Sequence, residues 1–385
     1  MATFKQYERK DGTKLWLFKT YLGKDPNTGK QVTTTRRNFK TKKEAQLALS
    51  RLQVQYENGE FNNPENGCKT FQEVFDLWKV SYKLTVKEST YVKAVSQYEV
   101  HAIPVFGHKR MDEITPSDVQ AFANEKVKTK KKYRDFITDI SRIFEYAIHL
   151  GLVNDNPTKR IIIPKRKDSV NEEKRANYYT KEELKTFLDC CRKQESSKIF
   201  TFFHLLASSG CRQGELLGLE WRYVDFEKNC IHINQTLARG ENRRLYIEQP
   251  KTKHSKRFVS LDPETMKILK GWKTEQAAEY LKLGFSTNRP EQLVFPNICN
   301  EYLQLSKPRT WMLRVVRRNN LREITIHGFR HTHATLLLEA GVSAKTISER
   351  LGHSNIQVTL DLYSHVTERM ERQVPGIFAG LLAEN

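Results

Sequence analysis

The chain has 385 residues, 38% of them hydrophobic, with 65 Lys and Arg against 45 Asp and Glu for a net charge of +20. That length predicts two or three domains, and no apolar run approaches the roughly 20 residues that cross a bilayer. Six cysteines without a CxxC pair argue against a disulfide framework or zinc knuckle, and the start MATFKQYERKDG has no apolar signal core, so a reducing cytoplasm is expected.

The basic excess is spread along the chain: net +7 over residues 1–60, +5 over 61–170 and +8 beyond. Such a surface draws polyanions and suits contacts to a phosphate backbone. The first segment reads as strands around Phe4, Tyr7, Leu15, Leu17, Lys19 and Tyr21, a turn at KDPNTGK (24–30), and a third strand at 31–39. A helix over 41–59 follows, with Ala45, Leu47, Leu49, Leu52 and Val54 as its apolar positions, and NNPENG (62–67) reads as a linker. Helices are then expected over 70–84, 89–107, 114–127 and 130–153, the third opened by Thr115-Pro116. The charged stretch 161–180 reads as a second linker. Thr180 and Glu183 form a capping pattern for the next helix, and 229–237 with 244–261 read as the strands of one β-hairpin. No internal repeat is visible.

Five motifs follow one another in the last half: SSGCRQGELLGLEW (208–221), PKTKHSKRFVSL (250–261), HGFRHTHATLLLEAG (327–341), ERLGHSN (349–355) and TLDLYSHV (359–366). Each alone is weak; the set in this order is specific. Breaking a DNA backbone without a metal requires a nucleophile, cations on the phosphate and a proton donor for the leaving oxygen. Planar guanidinium groups match two phosphate oxygens with forked hydrogen bonds and keep their protons. Arg212 and Arg330 are the candidates. A tyrosine hydroxyl that attacks forms a phosphodiester similar in energy to the one broken, so rejoining needs no ATP; no Walker A motif is present. His327 and Arg330, at i and i+3, share a helix face. Gly352 is expected to end a helix and turn His353 inward.

These motifs resemble those of the tyrosine recombinases, the phage-type integrases, over about residues 180–370. The resemblance implies that Arg212 and Arg330 bind the scissile phosphate and that Lys251, chosen over Lys253 and Lys256 by the family's Lys-Thr pair, protonates the leaving 5′ oxygen. His327 would take the tyrosine proton or hold the phosphate, His353 would hydrogen-bond the phosphate, and Tyr363 would attack to give a 3′-phosphotyrosine. Glu215, three residues after Arg212, would orient the site. No cofactor and no metal are implied.

The implied architecture is α+β and multidomain. An arm-type DNA-binding domain (1–62) holds a small three-stranded sheet plus a helix. An all-helical core-binding domain (68–165) follows. A mainly helical catalytic domain with a small β-sheet (176–385) ends in a docking tail around RQVPGIFAGLL (372–382). Arg36 and Arg37 are candidate base readers or a charged solvent face. Lys130, Lys131 and Lys132, in TKKKYR (129–134), form a backbone-contact patch or a solvated loop. The two rings of the HxH at His331 and His333 should point to different helix faces, which disfavours a metal there, and His331 reads as structural. The partners implied are double-stranded attachment-site DNA, three further copies in a tetramer, an excisionase and a DNA-bending host protein, with no membrane. Three other readings are disfavoured. A type IB topoisomerase-like enzyme lacks the arm-like domain. A non-catalytic regulator has no need of Tyr363. A metal-dependent nuclease needs a carboxylate cluster that is not seen.

Overall fold

A computed structural model describes residues 2–8, 14–24, 31–57, 69–166, 176–249, 255–353, 355–357 and 360. The chain folds as two compact units, residues 1–168 and 169–385. In the first, strands β1 (Thr3–Glu8), β2 (Lys14–Lys24) and β3 (Gln31–Phe39) form one antiparallel sheet in sequence order, followed by helix α1 (Lys42–Glu57). Phe18 stacks on Phe39, packs beside Phe4, and is buried with Ala45 and Leu52 of α1. Ala45, Leu49 and Leu52 thus form the helix's inner line, whereas Leu47 and Val54, expected as apolar positions, are exposed. The reason is helical spacing: positions 45, 49 and 52 recur on one face, and 47 and 54 lie off it.

The rest of this unit is helical: α2 (Phe71–Lys83), α3 (Glu88–His101), α4 (Ile103–Phe106), α5 (Pro116–Thr129) and α6 (Tyr133–His149). Capping boxes at Thr70 with Glu73 and at Thr115 with Asp118 start α2 and α5, each contributing about 1 kcal/mol. Phe71, Val74, Phe75 and Trp78 of α2 pack with Tyr98, Phe106, Ile140 and Phe144. The segment 89–107, expected to stop at Pro104 and Gly107, divides at Ala102 into α3 and α4; Pro104 lies in the first turn of α4, where a missing N–H is tolerated, and α4 ends at Phe106 ahead of Gly107. The helix expected from residue 130 starts at Tyr133, because Lys130 is extended at the end of α5.

The second unit contains α7 (Lys181–Gln194), α8 (Ser197–Ser209), α9 (Gln213–Leu217), β4 (Val224–Asp225), β5 (Cys230–Ile233), β6 (Thr236–Arg239), β7 (Leu245–Glu248), β8 (Arg257–Ser260), α10 (Pro263–Lys282), α11 (Lys307–Arg318), α12 (Ile326–Glu339) and α13 (Ala344–Leu351). The capping box of Thr180 with Glu183 opens α7 as expected. Helix α8 buries Ile199, Thr201, Phe202, Phe203, Leu205, Leu206, Ala207 and Ser209, covering most of its circumference, and packs against α7, α10 and α12. Phe203 meets Phe187 and Phe329 at the centre of the core. Burial of each such side chain contributes roughly 1.5–3 kcal/mol.

Two expectations are corrected. The single hairpin is two sheets. β5 pairs with β4 and β8, while β6 pairs with β7. Both predicted strands divide, because Asn234-Gln235 leaves the first sheet and the Gln235 amide donates to the Gly218 carbonyl and to Glu220. The linker expected over 161–180 is too long. Tyr179 is buried in the core, its backbone N–H donating to Thr332 at 2.9 Å, and Asn177 exchanges hydrogen bonds with Thr325. Residues 177–179 therefore brace the N-terminus of α12. No described helix is long and apolar enough to cross a membrane.

Candidate active site

Arg212 is the N-cap of the short helix α9, in extended conformation. Its backbone N–H donates to Glu215 Oε2 at 2.8 Å, and its Nη1 donates to Glu215 Oε1 at 2.8 Å. Glu215 is 4% exposed. The acidic side chain sits in the first turn, where unpaired amides favour a negative charge. The Arg212 side chain remains 39% exposed, so an anion arriving from solvent reaches it.

His327 and Arg330 lie in the first turn and a half of α12, whose N-cap Thr325 accepts from the Gly328 N–H. Arg330 is 2% exposed. Its Nη1 donates to the Gly210 carbonyl at 3.0 Å and its Nη2 to the Leu351 carbonyl at 2.8 Å. Among the described residues it has no ion pair with a carboxylate. Burial and the nearby Arg212 push its pKa down to about 9. It is a desolvated cation held by neutral oxygens.

Helix α13 ends on Gly352 in the left-handed conformation, at φ 68°. The Gly352 N–H returns to Glu349 and the His353 N–H to Ser348, a Schellman turn. Three consecutive carbonyls at this end each accept from a different guanidinium: Arg350 from Arg257 Nε at 2.7 Å, Leu351 from Arg330, and Gly352 from Arg212 Nη2 at 3.4 Å. Such carbonyls have no partner inside the helix and carry its negative dipole end. Cations therefore gather here, and the turn delivers His353 to them. Burial lowers the pKa of His353 to about 3, with Arg330 and Arg212 adding to it, and that of His327 to about 4, with His331, Arg330 and Arg212 adding to it. Both rings are neutral at pH 7.

The fold thus brings Arg212, Glu215, His327, Arg330 and His353 to one place. Lys251, between β7 and β8 in the sequence, and Tyr363, beyond α13, lie outside the described residues, as does the tail at 372–382. Arg36 and Arg37 are exposed on β3. Arg36 is the register partner of Phe18 and so belongs to the sheet face that packs on α1; Arg37 belongs to the opposite face, with Lys5, Lys19 and Tyr21. Lys130, Lys131 and Lys132 are exposed where α5 gives way to α6. His331 faces His327, ring centroids 4.8 Å apart, whereas His333 points elsewhere, to the Ala207 carbonyl and Arg350 Nε. Among the described residues no group of three or more His, Cys, Asp or Glu is placed to hold a metal.

Sequence reading missed Arg257 and Arg350, and weighed His333 only as a metal ligand. Arg257 donates from Nη2 and Nη1 to the two Glu215 oxygens at 2.9 and 3.3 Å. Arg350 donates to the carbonyls of Ser208 and Ser260. A usable signal existed for Arg257. In RFVS, strand alternation places it on the same inward side as Val259, and a cation pointing into a core requires a partner.

The chain is similar to known proteins along most of its length. The phage integrase family matches residues 177–370, the N-terminal SAM-like domain of phage integrases matches 70–127, and an arm DNA-binding domain matches 4–56. The chain is 29% identical to a XerC-like tyrosine recombinase of Caldanaerobacter subterraneus, over 94% of this chain and 95% of the relative. It is 25% identical to the ICEBs1 integrase of Bacillus subtilis, over 92% and 94%. In fold it resembles a Tn1549 transposon integrase solved in complex with transposon right-end DNA, with a TM-score of 0.63 at 20% identity, covering 80% of this chain and all of that one. The chain belongs to the phage integrase family of tyrosine recombinases and is a site-specific DNA recombinase, an integrase of mobile elements.

Proposed function

We propose that Arg212 and Arg330 grip one DNA phosphodiester while the Tyr363 phenol attacks its phosphorus. The observation that carries this reading is the Arg330 guanidinium: 2% exposed and, among the described residues, in no ion pair, Glu215 acting on it only from a distance while pairing with Arg212 and Arg257. Burying an unpaired charge costs several kcal/mol. An arriving phosphate supplies the missing anion, and three of the five guanidinium N–H donors stay available after the two carbonyl bonds.

The phenol oxygen forms a bond to phosphorus as the bond to the 5′ oxygen breaks. Neutral His327 takes the phenol proton, and the Lys251 ammonium gives a proton to the departing 5′ oxygen. Glu215 keeps Arg212 aimed, and His353 hydrogen-bonds a non-bridging oxygen as charge develops there. One ester replaces another, so attack by a 5′ hydroxyl on the 3′-phosphotyrosine reseals the strand without an energy source. Exchange of two duplexes requires four strand cuts, hence four copies of a site that cuts once.

In this reading residues 1–62 bind arm-type sites, with Arg37 better placed than Arg36 to meet bases. Residues 68–165 close on the core site, with Lys130, Lys131 and Lys132 as phosphate contacts. Residues 176–385 carry the chemistry. The substrate is double-stranded attachment-site DNA, a homotetramer assembles on it, and an excisionase and a DNA-bending host protein set direction. Free thiols at Cys190, Cys191, Cys211, Cys230 and Cys299 support work in a reducing cytoplasm. A nicked suicide duplex carrying the core site tests the proposal. The parent should become covalently linked, and Tyr363→Phe should bind without linking; linkage of that variant would overturn it.

A further inference from the structure

Arg257 stands on β8 and reaches the site from beneath. Its side chain, 6% exposed, donates to the Ser255 carbonyl and to Cys211 Sγ, and makes two further contacts that bear on the site. Both outer nitrogens donate to the Glu215 carboxylate, at 2.9 and 3.3 Å, and Nε donates to the Arg350 carbonyl at 2.7 Å. Glu215 is the group that holds Arg212 by its backbone N–H and Nη1. Arg350 stands three residues before His353, within the last turn of α13. One guanidinium therefore ties the support of the exposed phosphate-facing arginine to the turn that presents the histidine. It has the planar fork that such double duty requires.

We infer that Arg257 is a positioning residue of strand cleavage, setting Arg212 through Glu215 and His353 through the end of α13. The inference rests on the reading of Arg212 as a phosphate clamp. Charged groups face Glu215 from three elements: Arg212 on its own helix, Arg257 on β8 and Arg330 on α12, with the Cys211 thiol and His327 also near. Burial alone would raise the Glu215 carboxyl, and Arg257 is the largest influence holding it below its ordinary value. Without Arg257 the carboxyl is protonated at a higher pH, and a protonated Glu215 releases Arg212.

The test is single-turnover cleavage of the nicked duplex by Arg257→Met, Arg257→Lys, Glu215→Gln and the double variants, with DNA affinity measured in parallel. Arg257→Met should cleave roughly 10–100-fold more slowly, bind DNA within about threefold of the parent, and show a new fall in rate on the acid side. Arg257→Lys, which keeps the charge but loses the fork, should recover part of the rate. In the Glu215→Gln background the loss should shrink, because residues acting through one another are not additive. If the Met variant does not fold, Arg257→Lys with Glu215→Gln completes the same cycle. Cleavage by the Arg257 variants at the parental rate, or penalties that multiply independently, would overturn the inference. Arg212→Lys separates the two ideas. If it links DNA like the parent, the clamp reading fails; if it does not link while the Arg257 variants link at the parental rate, only the present inference fails.

Discussion

Replacing Arg330 by methionine separates stability from activity. The substitution removes two hydrogen bonds, to Gly210 and Leu351. Each orphaned carbonyl costs about 1–3 kcal/mol. It also relieves a cation that is 2% exposed, a desolvation of several kcal/mol. The two nearly cancel, so folding stability should change by no more than about 2 kcal/mol, which for a unit of this size is within about 8 °C of the parental Tm. Cleavage should fall by about 10²–10³ or more, the usual loss on removing a donor to transition-state charge. Thermal unfolding with inorganic phosphate gives the second half of the assay. At ten times its Kd, phosphate should stabilise the parent by about 1.4 kcal/mol and leave Arg330→Met unmoved. A loss above about 4 kcal/mol with cleavage intact, or equal phosphate stabilisation of both proteins, would refute the view of Arg330 as a cation awaiting an anion.

His327 and His333 are pushed down to about 4 and His353 to about 3, from an ordinary 6.5. The unfolded chain therefore binds more protons in this window, and the stability these rings contribute is complete above pH 6.5 and lost as pH falls toward 4. Tm should drop over that range, and imidazole NMR signals of the free protein should stay in their neutral positions until well below pH 6.5. Phosphate should raise the pKa of His327 and His353 by offsetting Arg212 and Arg330, leaving His333 less affected. A Cβ on Gly214 would stand 2.6 Å from Thr236 Oγ1 and 2.9 Å from the Leu237 carbonyl. Gly214→Ala should therefore cost about 1–3 kcal/mol of stability and slow cleavage, as urea denaturation and the nicked duplex would show, by shifting β6 and β7 against α9. Arg37→Ala should weaken binding to arm-type DNA and lower its salt dependence by about one counterion, with Arg36→Ala doing less in the same titration.

Much of the site was legible because its signals are local. The Thr180 capping box, the i,i+3 spacing of His327 and Arg330, and the left-handed Gly352 before His353 each depend on residues within one or two turns. What could not be read depends on distant pairing. Strand β5 finds β8 across the intervening β6 and β7, so the apparent hairpin dissolves into two sheets. Glu215 finds Arg257 42 positions away. Tyr179 looked like linker because its neighbours are charged, yet it is buried beneath α12 and α7 through contacts with Phe329 and Phe187. Arg36 and Arg37, adjacent in sequence, separate to opposite faces of the sheet once register is known.

The most direct test of this chemistry is the identity of the residue that becomes bonded to DNA. The protein would be trapped on a nicked duplex, digested with nuclease and trypsin, and the modified peptide sequenced by mass spectrometry. The nucleotide should be found on the peptide spanning residues 351–369, with its phosphate esterified to the oxygen of Tyr363. A nucleotide on any other side chain, or a trapped complex with no covalent bond, would contradict it.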